Sequence, residues 1–111
     1  MNRLEQLMDF YRENPDDPFV RYCIALEHIK SDDPGEAREW FEALINSHPD
    51  YVATYYHYGK LMESLQDKDA AVSLYQAGIE VASKAGDLHA LSELQNARNE
   101  VVNAFDIEFD D

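Results

Sequence analysis

The chain is short of positive charge. Nine Lys and Arg stand against 23 Asp and Glu, a formal net charge of -14. Such a balance cannot lay a basic stripe along a phosphate backbone, and anionic lipid repels it, so nucleic acid and membrane surfaces are disfavoured and basic or neutral partners favoured. A lone cysteine, Cys23, excludes an internal disulfide and reads as a small buried hydrophobe. No apolar run approaches the ~20 residues a membrane-spanning helix needs. The opening MNRLEQLMDF mixes polar with apolar side chains where a secretory leader would run continuously apolar, so a cytoplasmic protein is expected. His28, His48, His57 and His89 are scattered, with no pair at i, i+4 and one cysteine to assist. They read as structural or solvated, and neither a metal nor any other cofactor is expected. The segment Asp67-Lys-Asp69 runs straight into Ala-Ala-Val, unlike a calcium loop, and neither a phosphate loop nor a nucleophile elbow is present.

What the chain does have is repetition. At 111 residues it is the size of one domain, and its 45% apolar content is ordinary, so the acidity is a property of the surface rather than a sign of disorder. Residues 33–51, DPGEAREWFEALINSHPDY, carry landmarks that return 34 positions later: Ala37 as Ala71 and Phe41 as Tyr75. At the same spacing Ile24 returns as Tyr58, Ala25 as Gly59, and Pro15 precedes Pro49. A period in this range marks a stacked repeat array.

The local signals are helical throughout. Leu4, Leu7, Met8 and Tyr11 fall three or four apart and Asn14-Pro15 ends the segment. Asp17-Pro18 and Asp33-Pro34-Gly35-Glu36 are helix starts, with Asp at the cap and Pro at the first position, where its missing N–H costs nothing. The next stripes are Tyr22, Ile24, Ala25, Leu26 and Ile29, then Ala37, Trp40, Phe41, Leu44 and Ile45. The second copy places Tyr51, Val52, Tyr55, Tyr58, Gly59 and Met62 on its first helix, and Ala71, Leu74, Tyr75, Gly78 and Ile79 on its second. Glycine inside a helix costs about 1 kcal/mol relative to alanine, so Gly59 and Gly78 are expected where a neighbouring helix comes close. Asp87 caps a last helix whose stripe is Leu88, Leu91, Leu94, Val101 and Phe105, with a polar outer face of Glu93, Asn96, Asn99, Glu100 and Asn103. The alternating tail, residues 106–111, fits a strand or a frayed end.

In register at this period, Tyr55, Tyr58-Gly59, Met62, Ala71 and Tyr75 of the second copy, and Ile24-Ala25, Ala37, Phe41 and Pro49 of the first, resemble the tetratricopeptide repeat pattern. Arg21 and His28 depart from it, standing at the opening aromatic and the tyrosine. The resemblance implies an all-α fold, a right-handed helix-turn-helix superhelix (an α-solenoid) of about six helices in one domain. It comprises a half-repeat helix over 1–15, repeats over 17–50 and 51–84, a capping helix over 87–105 and the acidic tail over 106–111. It also implies that the first helix of each repeat lines a concave groove. Carried over by position, the groove residues are Phe19, Tyr22, Leu26 and Ile29 from the first repeat, and Ala53, Tyr56, Lys60 and Glu63 from the second. A clamp for a terminal carboxylate, known in the family, needs basic and amide side chains where this chain has Tyr22, Leu26 and His57.

The function implied is non-catalytic protein binding, of a peptide or helix with apolar anchors and basic flanks. The alternative is self-assembly, as a homodimer or larger scaffold that buries exposed ends or the apolar half of the groove. A remoter alternative is a small-ligand or enzymatic site in the groove.

With carboxylates this dense, added salt should raise the thermal midpoint by screening their repulsion. A midpoint that falls steadily from low salt to about 0.5 M would instead show that specific ion pairs outweigh it.

Overall fold

The protein, seen in a computed structural model that describes residues 2–109 and only the backbone over 105–109, is all-α among the described residues. Its six helices are α1 (Arg3–Glu13), α2 (Pro18–Lys30), α3 (Pro34–Ser47), α4 (Ala53–Ser64), α5 (Lys68–Ala85) and α6 (Leu88–Phe109). The starts follow the acidic caps. The carboxylates of Asp17, Asp33, Asp67 and Asp87 accept from the backbone N–H of Phe19 (3.0 Å), Glu36 (3.3 Å), Ala70 (3.1 Å) and Ala90 (3.1 Å). Each satisfies a donor the helix leaves without a partner, and each adds negative charge where the helix dipole favours it.

The turns that close α2 and α4 are the same turn. At each, the chain passes through a left-handed residue, Asp32 (φ 58°) and Gln66 (φ 66°), just before the capping Asp. The Asp33 N–H donates to His28 O (2.8 Å), and the Asp67 N–H to Met62 O (2.9 Å), the long bond of a Schellman closure. Gly86 (φ 70°) closes α5 in the same way, with the Asp87 N–H on Ala82 O (3.0 Å).

The chain divides into two compact units, Met1–Thr54 and Tyr55–Asp111. In the first, α2 packs on both α1 and α3. Leu7, Val20 and Ile24 form a core with Leu4, Met8, Tyr11, Cys23 and Trp40 against it, and Ala25, Ala37, Phe41 and Leu44 are fully buried. Each large side chain buried so completely stabilises by roughly 1.5–3 kcal/mol. The Tyr11 ring stands edge-on to Trp40, centroids 5.0 Å apart. Arg21, at the position of the family's opening aromatic, does a different job. Its guanidinium donates to Pro15 O and to Ser47 Oγ, both at 2.8 Å, and lies 5.9 Å from the Tyr11 ring centre. One cationic side chain thereby ties the helices on either side of α2 to it.

In the second unit α5 packs on α6, and the Tyr75 ring lies over Gly59 of α4. A Cβ at Gly59 would stand 2.3 Å from Tyr75 Cε1, and one at Gly78 would stand 2.7 Å from Tyr55 Cβ. These are the close approaches the two helical glycines predict. Leu94, Ala97 and Val101 turn the buried stripe of α6 inward.

Four expectations need correction. Tyr51 and Val52 precede α4 instead of opening it, because the turn after Pro49 places the Tyr51 N–H on His48 O (3.1 Å). Leu88, expected on the buried stripe, is 75% exposed, since it begins α6 beside the Gly86 turn, where α5 has already ended. Cys23 is half-buried rather than buried, and burial pushes its thiol pKa up. The backbone over 106–109 continues α6, where alternation suggests a strand or a frayed end; Asp110, Asp111 and the Phe105 side chain lie outside what is described.

Ala37 and Ala71 are both fully buried. Ala37→Trp and Ala71→Trp are therefore expected to cost about 3 kcal/mol or more by overpacking, read as a lower thermal midpoint or loss of the cooperative transition. An unchanged midpoint in both would show that the repeat register is wrong.

Candidate functional site

Helix α2 is apolar on nearly every side, so its burial pattern decides which face is spare. Val20, Ile24 and Ala25 are buried, and the residues at the alternate register, Phe19, Tyr22, Leu26 and Ile29, keep surface. Phe19 is 59% exposed and Ile29 36%, while Tyr22 and Leu26 are half-buried. Tyr22 is partly engaged within its own unit: its ring meets Tyr51 edge-on at 5.8 Å. Burial, with Tyr51 and Cys23 nearby, pushes the Tyr22 hydroxyl up to about 12. Tyr22 is thus half anchor and half core, and an alanine there removes packing as well as contact surface.

In the second unit the expected residues Tyr56, Lys60 and Glu63 lie three or four apart on α4 and meet one another. Lys60 Nζ stands 5.6 Å from the centre of the Tyr56 ring and 3.6 Å from Glu63 Oε2. The Tyr75 hydroxyl, rising from the core, donates to the same Glu63 oxygen. The Tyr56 ring in turn lies 6.4 Å from that of Tyr75 and 5.3 Å from His57. All three α4 side chains are half-exposed, so the group is open to solvent yet held in place from beneath. Burial and then the hydrogen bond to Glu63 raise the Tyr75 pKa far above its usual value.

The family resemblance, carried over by position, points to Tyr56, Lys60 and Glu63, but the contribution of Tyr75 is not visible there. It comes from the other helix of the pair, and the only trace in the sequence is that Tyr75 recurs in register with Phe41 while carrying a hydroxyl. Tyr51 is a second residue missed as a support, for Tyr22, because it reads as part of a helix.

What the arrangement offers chemically is recognition. There is an aromatic face with an ammonium beside it, and a carboxylate whose second oxygen is free of the Tyr75 bond. Among the described residues no cluster of His, Cys, Asp or Glu could hold a metal ion, and no helix is long and apolar enough to cross a membrane.

No family model matches the chain, and no curated protein matches it either. Solved structures do. A tetratricopeptide repeat domain protein from Salinibacter ruber, in its solution structure, is 49% identical, with 79% of this chain and 89% of that one covered and a TM-score of 0.77. A crystal structure of a tetratricopeptide repeat domain protein from the same organism is also 49% identical, with 77% and 96% covered and a TM-score of 0.73. A Bordetella parapertussis protein shares the fold at 18% identity, over 98% of this chain and 95% of that one, with a TM-score of 0.84.

Tyr22, Tyr51 and Tyr75 all have pKa values raised from 10.0, chiefly by burial. The folded chain therefore keeps protons that the unfolded chain has lost, so their contribution is complete below pH 10 and declines as pH rises above it. The thermal midpoint should fall progressively between about pH 10 and 12, and Tyr75→Phe should make that fall shallower. An equally steep fall in the variant would remove Tyr75 from the account.

Proposed function

The chain belongs to the tetratricopeptide repeat family, and from that premise we propose that it is a non-catalytic protein-interaction module of the cytoplasm. Its partner is a peptide or helix with apolar anchors and basic flanks. The partner is read by the α2 face of the first unit, through Phe19, Tyr22, Leu26 and Ile29, and by the α4 face of the second, through Tyr56, Lys60 and Glu63. The observation that carries this reading is the α4 group: half-exposed side chains held by one another and by a buried tyrosine. A surface already ordered before binding loses little side-chain freedom when it binds. Rigid aromatics such as Tyr56 and Phe19 are the residues that most often anchor interfaces. Basic flanks suit a chain of charge -14 by steering encounter and suppressing acidic competitors.

Phe19 and Tyr56 keep exposed surface, so the double variant Phe19→Ala, Tyr56→Ala should remain folded. Affinity for a partner captured by the unaltered chain should weaken by about 2–3 kcal/mol, roughly 30- to 150-fold. Titration by calorimetry with circular dichroism as the folding control checks it. Binding unchanged in the folded variant would move the site elsewhere.

A further inference from the structure

The repeat register finds one exposed aromatic at a position that is buried in the later helices. Gly78 shows what surrounds the second helix of a unit: Tyr55 Cβ on α4 would lie 2.7 Å from its added Cβ, and Leu94 Cδ2 on α6 would lie 3.0 Å away. Helices thus flank it on both sides. Stepping back by the 34-residue period leads from Gly78 to Leu44 and then to Phe10. Leu44 is fully buried, but Phe10 is 54% exposed. The following helix, α2, packs on α1 as α6 packs on α5, but where Tyr55 of α4 covers the Gly78 position of α5, the Phe10 position of α1 stays exposed. Phe19 of α2, 59% exposed, flanks the same opening, which is floored by Leu7, Val20 and Cys23.

The outward stripe of α1 says what could fill it. Arg3, Gln6, Asp9, Phe10 and Glu13 fall on one side of the helix, with Arg3 at one end and Glu13 at the other, and Asp9 paired with Arg12 of the same helix at 2.5 Å. Neither Arg3 nor Glu13 forms an ion pair among the described residues. Two such stripes laid antiparallel about a two-fold axis bring Arg3 of each opposite Glu13 of the other, and Phe10 of each opposite Gln6 of the other. The stripe is therefore complementary to itself, as an isologous interface requires. Phe10 itself lines the apolar opening, beside Leu7, Val20 and Cys23.

We propose that the open side of α1 and α2 is an interface with a second copy of this chain, formed by antiparallel pairing of the two α1 helices through Phe10 and reciprocal Arg3–Glu13 pairs. This goes beyond the partner-binding reading: the two share Phe19, but the pairing of α1 helices rests on Arg3, Phe10 and Glu13, none of which that reading uses. The register forbids a parallel pairing, which would set Arg3 against Arg3 and Glu13 against Glu13. Overall repulsion between two chains of charge -14 opposes the contact, and moderate salt screens it.

Sedimentation equilibrium of the full chain from micromolar to millimolar concentration, in moderate salt, tests the proposal. The expected result is reversible dimerisation, a doubling of the 12.8 kDa mass. Glu13→Arg replaces both attractive pairs with repulsive ones and should raise the dissociation constant about tenfold. The double swap Arg3→Glu, Glu13→Arg should restore it, and Phe10→Glu should leave a monomer. Residues 3 and 13 are exposed, so the charge variants test the pairing without disturbing the core. A monomer at every concentration overturns the proposal and leaves the opening to a helix of another protein. A dimer indifferent to Glu13→Arg, or one that weakens without rescue by the double swap, overturns the antiparallel geometry.

Discussion

The second unit depends on one close approach, the Tyr75 ring lying on the bare backbone of Gly59. An aromatic ring can sit so near a helix axis only where no Cβ intervenes, and a methyl there would need the ring or the helix to move. Everything that makes the unit specific follows from this contact. It sets how closely α5 lies on α4, and it buries the largest side chain of the unit completely. It also aims the hydroxyl of that side chain outward along α4 instead of into the apolar interior.

A tyrosine is needed there rather than a phenylalanine because its two ends have different work. The ring fills the crossing, and the hydroxyl reaches Glu63, which in turn holds Lys60 beside Tyr56. A core contact thereby orders a surface. In the first unit the equivalent residue is Phe41, which is fully buried and carries no hydroxyl. The first unit instead uses Arg21 to fasten its helices from outside, through Pro15 O, Ser47 Oγ and the Tyr11 ring. The two repeats are thus alike in backbone and unlike in how they are secured.

This difference explains how much could be read before the structure was known. Helix number, order and caps were legible because Asp-Pro starts, Asp caps and apolar spacing act locally. The 34-residue register carried the pairing of helices, since Ala37 and Ala71 have to be small where they recur. The surface of α2 was legible only as a set of candidates. Spacing identified Phe19, Tyr22, Leu26 and Ile29 together, but whether Tyr22 faces solvent or Tyr51 depends on a turn that reads as helix. Arg21 looked like a lapse in the pattern, because a cation does not announce which carbonyl and hydroxyl it will find. The link from Tyr75 to Glu63 joins residues on different helices, and no periodicity within either helix encodes it.

The turns at Asp32 and Gln66 bear on the stability of the chain as much as on its path. Two left-handed positions one repeat apart are each held by a residue with a side chain, although glycine closes α5 at Gly86. A left-handed conformation costs such residues roughly 1 kcal/mol apiece. The fold tolerates this because the capping Asp and the Schellman bond on either side leave the backbone no better path. The sequence is therefore not at the summit of its own architecture. It holds a reserve of stability that substitution at two exposed turn residues could release.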